Sequence, residues 1–448
     1  MDSETRIKSH YRALLRLGLP IIVGQLGIIM VSFIDNVMVG HHSMNELAAA
    51  SFVNNLLMLL YVFGIAFGYG LTPMVASSDH RQRHFSVGIL FRHSLRVNLW
   101  MGVLLVGIAV GLIPLFGVFN LPDELRPVVM PYYWIQVGGL ILVMGFNTLK
   151  QLYDGMSDTK TPMYVTVTGN FLNMVLNYLL IFGIGFLPEL GLVGAGLATL
   201  MARVVMLLAL MYIFARRKSW QPLRMGFART VHLRRVYRRL FGIGMPVAVQ
   251  MGLEAASFTI VIVFVGRLGG QALAAHQIVS VITTIGYMIY YGIGAATTIH
   301  ISHYRLRGKP AEVRRIAADA YRMSALGALV VVVILLVFRE RLSYLFTADA
   351  EVAAIVSLTL LPVIFYQFGD ALQITYSNAL RGLERVRSLA PASAVCHVLL
   401  APSLSYLLAF VLLEGDRAVR LAGIWWAFPI SLTLLGLLFY ANFRKNTH

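Results

Sequence analysis

Of the 20 acidic residues in this 448-residue chain, only Asp35, Glu254 and Asp370 lie well inside long apolar runs. A carboxylate near the centre of a lipid bilayer costs about 2.5–3.5 kcal/mol on insertion scales, so it persists only where it faces a cavity, binds a cation or carries a proton. All three uses belong to the chemistry of moving positive charge. The competing reading fixes the carboxylate in a structural hydrogen-bond network and gives it no further work.

The neighbours in sequence sharpen this. Glu254 follows Pro246 by eight residues, about 12 Å along a helix. Asp370 sits in IFYQFGDALQ, with Tyr366 at i−4 on the same helix face. Brought together, Glu254, Asp370 and the Tyr366 phenol form an oxygen cage suited to a hard cation such as Na⁺, with the two carboxylates as metal ligands. In the first half of the chain the expected companions of Asp35 are Asn173 and Asn177 of NFLNMVLNY, spaced i, i+4, and Thr199 of GLATL. The asparagines suit interhelical hydrogen bonding equally well. Arg203 reads as a counter-charge or a snorkelling side chain. His276, in AAHQI, reads as a helix–helix contact ahead of a proton shuttle.

The elements that must position these residues are membrane helices. The chain is 58% hydrophobic and only 13% charged, with a mean hydropathy of +0.74. Most of its surface must therefore face lipid. Apolar runs long enough to cross a bilayer occur near 14–39, 47–76, 94–118, 128–152, 162–186, 190–215, 240–265, 272–300, 318–347, 352–378, 389–413 and 421–443. Helices are required because lipid offers the backbone no hydrogen-bond partner. With the N-terminus inside, 28 of the 37 Lys and Arg fall in inner segments and six outside: Arg126, Arg267, Arg339, Arg341, Arg417 and Arg420. That bias places both termini in the cytoplasm, and the chain is expected to be a multi-pass protein of the cell's inner (plasma) membrane. The charged start, MDSETRIKSHYRALLRLGLP, is read as an uncleaved cytoplasmic lead-in. Cys396, the one cysteine, excludes an internal disulfide.

A net charge of +17 suggests nucleic acid, but its distribution argues against that partner. The basic stretch 216–239 lies between two spans and reads as a cytoplasmic linker touching anionic head groups. It divides an N-terminal lobe, 1–215, from a C-terminal lobe, 240–448. Shifted by 226 residues, the chain falls on itself: Pro20 on Pro246, Val39-Gly40 on Val265-Gly266, Leu47-Ala48-Ala49 on Leu273-Ala274-Ala275, Tyr61 on Tyr287 and Thr72 on Thr298. Gly155 and Gly382 match at 227. Six spans per repeat is an even number, so both repeats enter the membrane the same way, as a parallel repeat about the bilayer normal with a cleft between. Pro20 and Pro246 open paired helices or bend them.

The chain resembles the multidrug and toxic compound extrusion (MATE) antiporters over essentially its whole length. The resemblance rests on Pro20, the FIDNVMVG segment around Asp35, AAHQI at 274–278, and DGMSDTKTPM with its later echo LRGLERVRS. The Pro246-to-Glu254 spacing and the Tyr366–Asp370 pair look like the NorM branch. This implies an all-α fold of twelve transmembrane helices in two six-helix lobes forming a V, and efflux of cationic or amphipathic drugs driven by inward Na⁺ or H⁺. It implies a C-lobe cation site at Glu254, Asp370 and Tyr366, and an N-lobe site at Asp35, Asn173, Asn177 and Thr199. Where some relatives carry an aspartate in the fifth helix this chain has Asn177, which removes a charge but leaves Asp35 as a proton acceptor.

The expected function is secondary antiport by alternating access, with no cofactor besides the coupling ion and with a monomer as the working unit. A flippase for lipid-linked precursors, a function of related folds, needs a cation-rich cavity for pyrophosphate, whereas the residues inside the spans are mainly acidic. An intramembrane enzyme is disfavoured because HExxH and similar ligand spacings are absent.

Overall fold

The computed structural model describes residues 3–80, 83–117, 125–183, 188–229, 231 and 233–447. Among them there are helices and no strands, as a backbone that must satisfy itself in lipid requires. Twelve helices are long and apolar enough to cross a membrane: α1 (His10–His42), α2 (Met44–Asp79), α3 (His84–Leu112), α4 (Arg126–Gly155), α5 (Lys160–Phe182) and α6 (Gly191–Arg216), then α7 (Arg234–Gly266), α8 (Gly270–Arg305), α9 (Pro310–Phe346), α10 (Ala350–Gly382), α11 (Leu389–Leu412) and α12 (Arg417–Asn446). Several outrun the apolar segments that announce them. Hydrophobicity marks only the stretch that needs lipid, and the helix continues into polar ends such as Arg234–Arg239.

The two matched prolines correct one expectation. Pro20 and Pro246 lie inside their helices rather than in the first turn. Each removes one i→i−4 hydrogen bond and so marks a weak point in a long rod.

Two compact units are present, one comprising Met1–Ile22 with Val249–His448 and the other Val23–Ala248. In the first, the opening half of α1 packs on α8 so closely that a methyl on Gly18 would come within 3.1 Å of the Gly292 carbonyl oxygen. In the second, the opening half of α7 packs on α2, where Gly244 meets the Phe67 carbonyl at 2.6 Å by the same measure. The unit boundaries fall two residues after Pro20 and two after Pro246.

The repeat is visible in atomic detail within each unit. Thr72 donates to Gln151 Oε1 at 2.6 Å, and Thr298 to Asn378 Oδ1 at 3.1 Å. A methyl on Gly155 would come within 2.7 Å of Val75 Cβ, and one on Gly382 within 2.9 Å of the Thr298 carbonyl oxygen. Only glycine permits these helix crossings. The turns that follow also agree: Asp158 N–H donates to the Tyr153 carbonyl and Arg385 N–H to the Leu380 carbonyl, both at 2.9 Å. Each turn holds a non-glycine residue in the left-handed region, Ser157 at φ 61° and Glu384 at φ 57°.

Between α6 and α7 a short helix, Gln221–Ala228, is clamped to α3. A methyl on Gly88 would overlap the Leu223 carbonyl oxygen, and one on Gly226 the Phe85 carbonyl oxygen. Arg92 donates to the carbonyls of Phe227 and Ala228 at 3.0 and 2.8 Å, satisfying acceptors at the helix end. Trp220 is buried beside Tyr153, with ring centroids 4.6 Å apart.

Candidate functional site

Helices α7 and α10 carry the carboxylates of the unit that contains Val249–His448. α10 packs closely against α8, α9 and α12, which leaves Asp370 fully buried. Neither Asp370 oxygen has a hydrogen-bond donor, and Gln373, one turn on, is buried with its Oε1 also without one. The Gln373 amide donates instead across the helix pair, from Nε2 to Glu254 Oε1 at 3.2 Å. Glu254 and Asp370 are thus near enough for their charges to repel, and Tyr366 lies within reach of both. Glu254 is half-buried, whereas Tyr366 is buried, its ring edge-on to Trp425 and Phe428 at 6.2 and 6.5 Å. On α8, Tyr290 donates to Gln367 Oε1 at 2.8 Å. The three residues singled out from sequence in this repeat therefore meet.

Acceptors without donors define the chemistry of this place. A buried carboxylate with no hydrogen bond is strongly disfavoured unless a proton or a cation compensates it. Asp370 Oδ1 and Oδ2 and Gln373 Oε1 offer oxygen ligands of the kind hard cations take. Among the described residues no group of three or more His, Cys, Asp and Glu is arranged to hold a metal ion, so the carboxylate pair would need amide and phenol oxygens to fill a shell.

The other unit holds Asp35, and its surroundings differ. Asp35 accepts from Asn177 Nδ2, and Asn173 turns its amide to donate to Asp35 Oδ1 at 3.1 Å while accepting from Thr199 Oγ1 at 3.3 Å. The four residues expected together from sequence are together, joined by hydrogen bonds between α1, α5 and α6. Arg203, one turn after Thr199, brings its charge to bear on Asp35. Its guanidinium donates to Tyr61 Oη at 3.0 Å and Gln136 Oε1 at 3.1 Å, so it is a held counter-charge rather than a snorkelling one.

Several participants escaped the sequence reading. Gln373 and Tyr290 were missed because glutamine and tyrosine are common in helices of every kind. Arg381, one of the cations counted in the inner segments because the apolar run ends at 378, is buried in the last turn of α10, donating to Gln250 Oε1 at 3.1 Å. A usable signal existed, since Arg381 follows Asp370 by 11 residues, about three turns on the same face. His276 is buried against Trp425, ring centroids 5.4 Å apart, as a helix–helix contact would be.

The comparisons with known proteins agree with this architecture. The MatE family model matches twice, at residues 20–179 and 246–407, each match beginning on one of the paired prolines. The chain is 30% identical to the multidrug resistance protein MdtK of Yersinia pestis (strain Pestoides F), covering 97% of this chain and 95% of that one. It is also 30% identical to a probable multidrug resistance protein NorM of Bradyrhizobium diazoefficiens, over 98% and 94%. Among solved structures, an outward-facing multidrug resistance MATE family transporter of the MOP superfamily superposes with a TM-score of 0.87 at 19% identity, covering 98% and 96%. A MOP superfamily transporter from Pyrococcus furiosus does so with a TM-score of 0.87 at 18% identity, over the same shares. With twelve spans, a doubled family match and full-length relatives, the chain belongs to the MATE family of membrane transporters.

Proposed function

We propose that this chain is a secondary active antiporter that exports cationic or amphipathic compounds in exchange for Na⁺ or H⁺ by alternating access. Asp370 carries the reading: a carboxylate fully buried in a membrane helix, beside Glu254, with both oxygens lacking donors. Such a pair is stable only with compensating positive charge, so it alternates between holding a driving ion and holding or admitting a cationic substrate. Tyr366 and Gln373 orient the pair and lend it further oxygens. On the other side of the repeat, Asp35 with Asn173, Asn177 and Thr199 forms a second acidic place, linked to substrate or proton. The names of the full-length relatives, multidrug resistance proteins both, support drug-like cargo. The same reading sets both termini in the cytoplasm, a monomer in the plasma membrane, the lobes at 1–215 and 240–448, and the 216–239 linker against anionic lipid.

Ethidium efflux from proteoliposomes, with a Na⁺ gradient and a pH gradient imposed separately, tests this. We expect one gradient or both to drive efflux, and Glu254→Gln and Asp370→Asn to abolish the response while the protein still inserts. Ion-driven efflux that survives both substitutions unchanged would remove the pair from the mechanism.

A further inference from the structure

Two cross-helix hydrogen bonds join α7 to α10. Gln373 donates to Glu254, and Arg381 donates from Nη2 to Gln250 Oε1 at 3.1 Å. Gln250 and Glu254 are one turn apart on the same face of α7. Gln373 and Arg381 are eight residues apart on α10, and the long arginine stem makes up the difference in rise. Arg381 is 6% exposed; its guanidinium also faces Asn378 Oδ1 at 3.5 Å and bears on the charge of Glu254. Asn378 is in turn fixed, accepting from Thr298 and donating to the Ile374 carbonyl at 2.9 Å. Arg381 is therefore held in place beneath the carboxylates. Besides Gln373, the phenol of Tyr366 faces both Glu254 and Asp370, and that of Tyr290 faces Asp370.

The repeat isolates what is special here. Gly155 and Gly382 share a helix crossing and a following turn, yet the residue before each has opposite sign: Asp154 in the first repeat, Arg381 in the second. The backbone frame is common to both, so the guanidinium is an addition of the repeat that carries the paired carboxylates.

We propose that Arg381 is a resident counter-cation for the carboxylate pair, a positioning residue that competes with the driving ion for Glu254. It cancels part of the pair's charge when the ion leaves, which weakens ion binding enough to permit release and speeds the return of the empty site. This deepens the antiport reading and rests on Glu254 and Asp370 being the driving-ion site.

The test uses the full-length protein in proteoliposomes, with ethidium efflux measured against a stepped concentration of the driving ion. Arg381→Gln, or Arg381→Met as a second uncharged variant that keeps the apolar stem, lowers the half-saturating ion concentration about 10-fold and slows the maximal rate. Arg381→Lys, which keeps the charge, stays within about 2-fold of the parent protein. A slowed rate with unmoved half-saturation in the uncharged variants, or a lysine variant that behaves like glutamine, reduces Arg381 to a structural tie and overturns the proposal. If Glu254→Gln and Asp370→Asn leave ion dependence intact, the site reading fails and takes this proposal with it; an unmoved Arg381→Gln alone overturns only the proposal.

Discussion

The two repeats share a backbone but distribute their charge differently. In the unit of Val23–Ala248, Asp35 is met by two asparagine amides, and Arg203 stands close by, itself held by Tyr61 and Gln136. In the unit containing Val249–His448, the Gln373 amide donates to Glu254 alone, and neither Asp370 oxygen has a donor. Neither set superimposes on the other: the repeat partner of Asp35 is Val261, and that of Glu254 is Ile28. Duplication therefore supplied two equal scaffolds, and the polar residues were placed on each independently. The carboxylate met by two amides leaves less charge to compensate than the pair, whose buried Asp370 has no donor and requires a positive charge or a proton.

That contrast can be broken at several points. Asp370→Asn should have the largest effect, a loss of about 100-fold in gradient-driven ethidium efflux, equivalent to roughly 2.7 kcal/mol of barrier. Asp35→Asn should cost less, about 10-fold, and leave the response to the driving ion's concentration unchanged. Equal losses with the same altered ion response in both variants would erase the distinction between the units. Asn177→Asp is the sharper probe, because it creates a second carboxylate pair around Asp35. We expect it to give the first repeat an ion dependence of its own, seen as a second saturation step in efflux, and to slow transport several-fold.

Smaller effects test the shared backbone. Gly155→Ala and Gly382→Ala should each destabilise the protein by about 1–3 kcal/mol through overpacking at the matched crossings, measured by thermal unfolding in detergent. Similar losses are expected, since both methyls would meet neighbours at under 3 Å. Ser157→Gly should stabilise by about 0.5 kcal/mol, the left-handed strain removed less the entropy of glycine. Glu384→Gly should gain nothing, because Glu384 also pairs with Arg305 at 2.8 Å and that contact is lost.

How much of this was legible in the amino-acid order depends on context. The three carboxylates stood out because an ionised group in an apolar run is anomalous without any knowledge of the fold. The repeat was legible because glycine and proline identities at a fixed offset are improbable by composition. Asn173, Asn177 and Thr199 were found because helical spacing puts the asparagines on one face. What pairs Glu254 with Gln373 is a meeting of helices across 119 residues, and no local pattern encodes it. Arg381 was hidden by its position, since near a span's end a buried cation and a loop cation look alike. The prolines left two readings open for a related reason: the first helical turn is the usual place for proline, and the long helical extensions that put Pro20 and Pro246 inside their helices are too polar to register as part of a span.

The clamp between Gly88 and Gly226 bears on the most basic stretch of the chain. A segment holding nine Lys and Arg invites the picture of a loose tether, open to any trypsin-like protease. Pinned backbone-to-backbone on α3 and anchored by Trp220, its helical part is instead a fixed plate. Peptide bonds there enter a protease cleft only after the plate lifts, so digestion of the intact transporter should be slow, and an alanine at either glycine should convert that stretch into the first place the chain is cut.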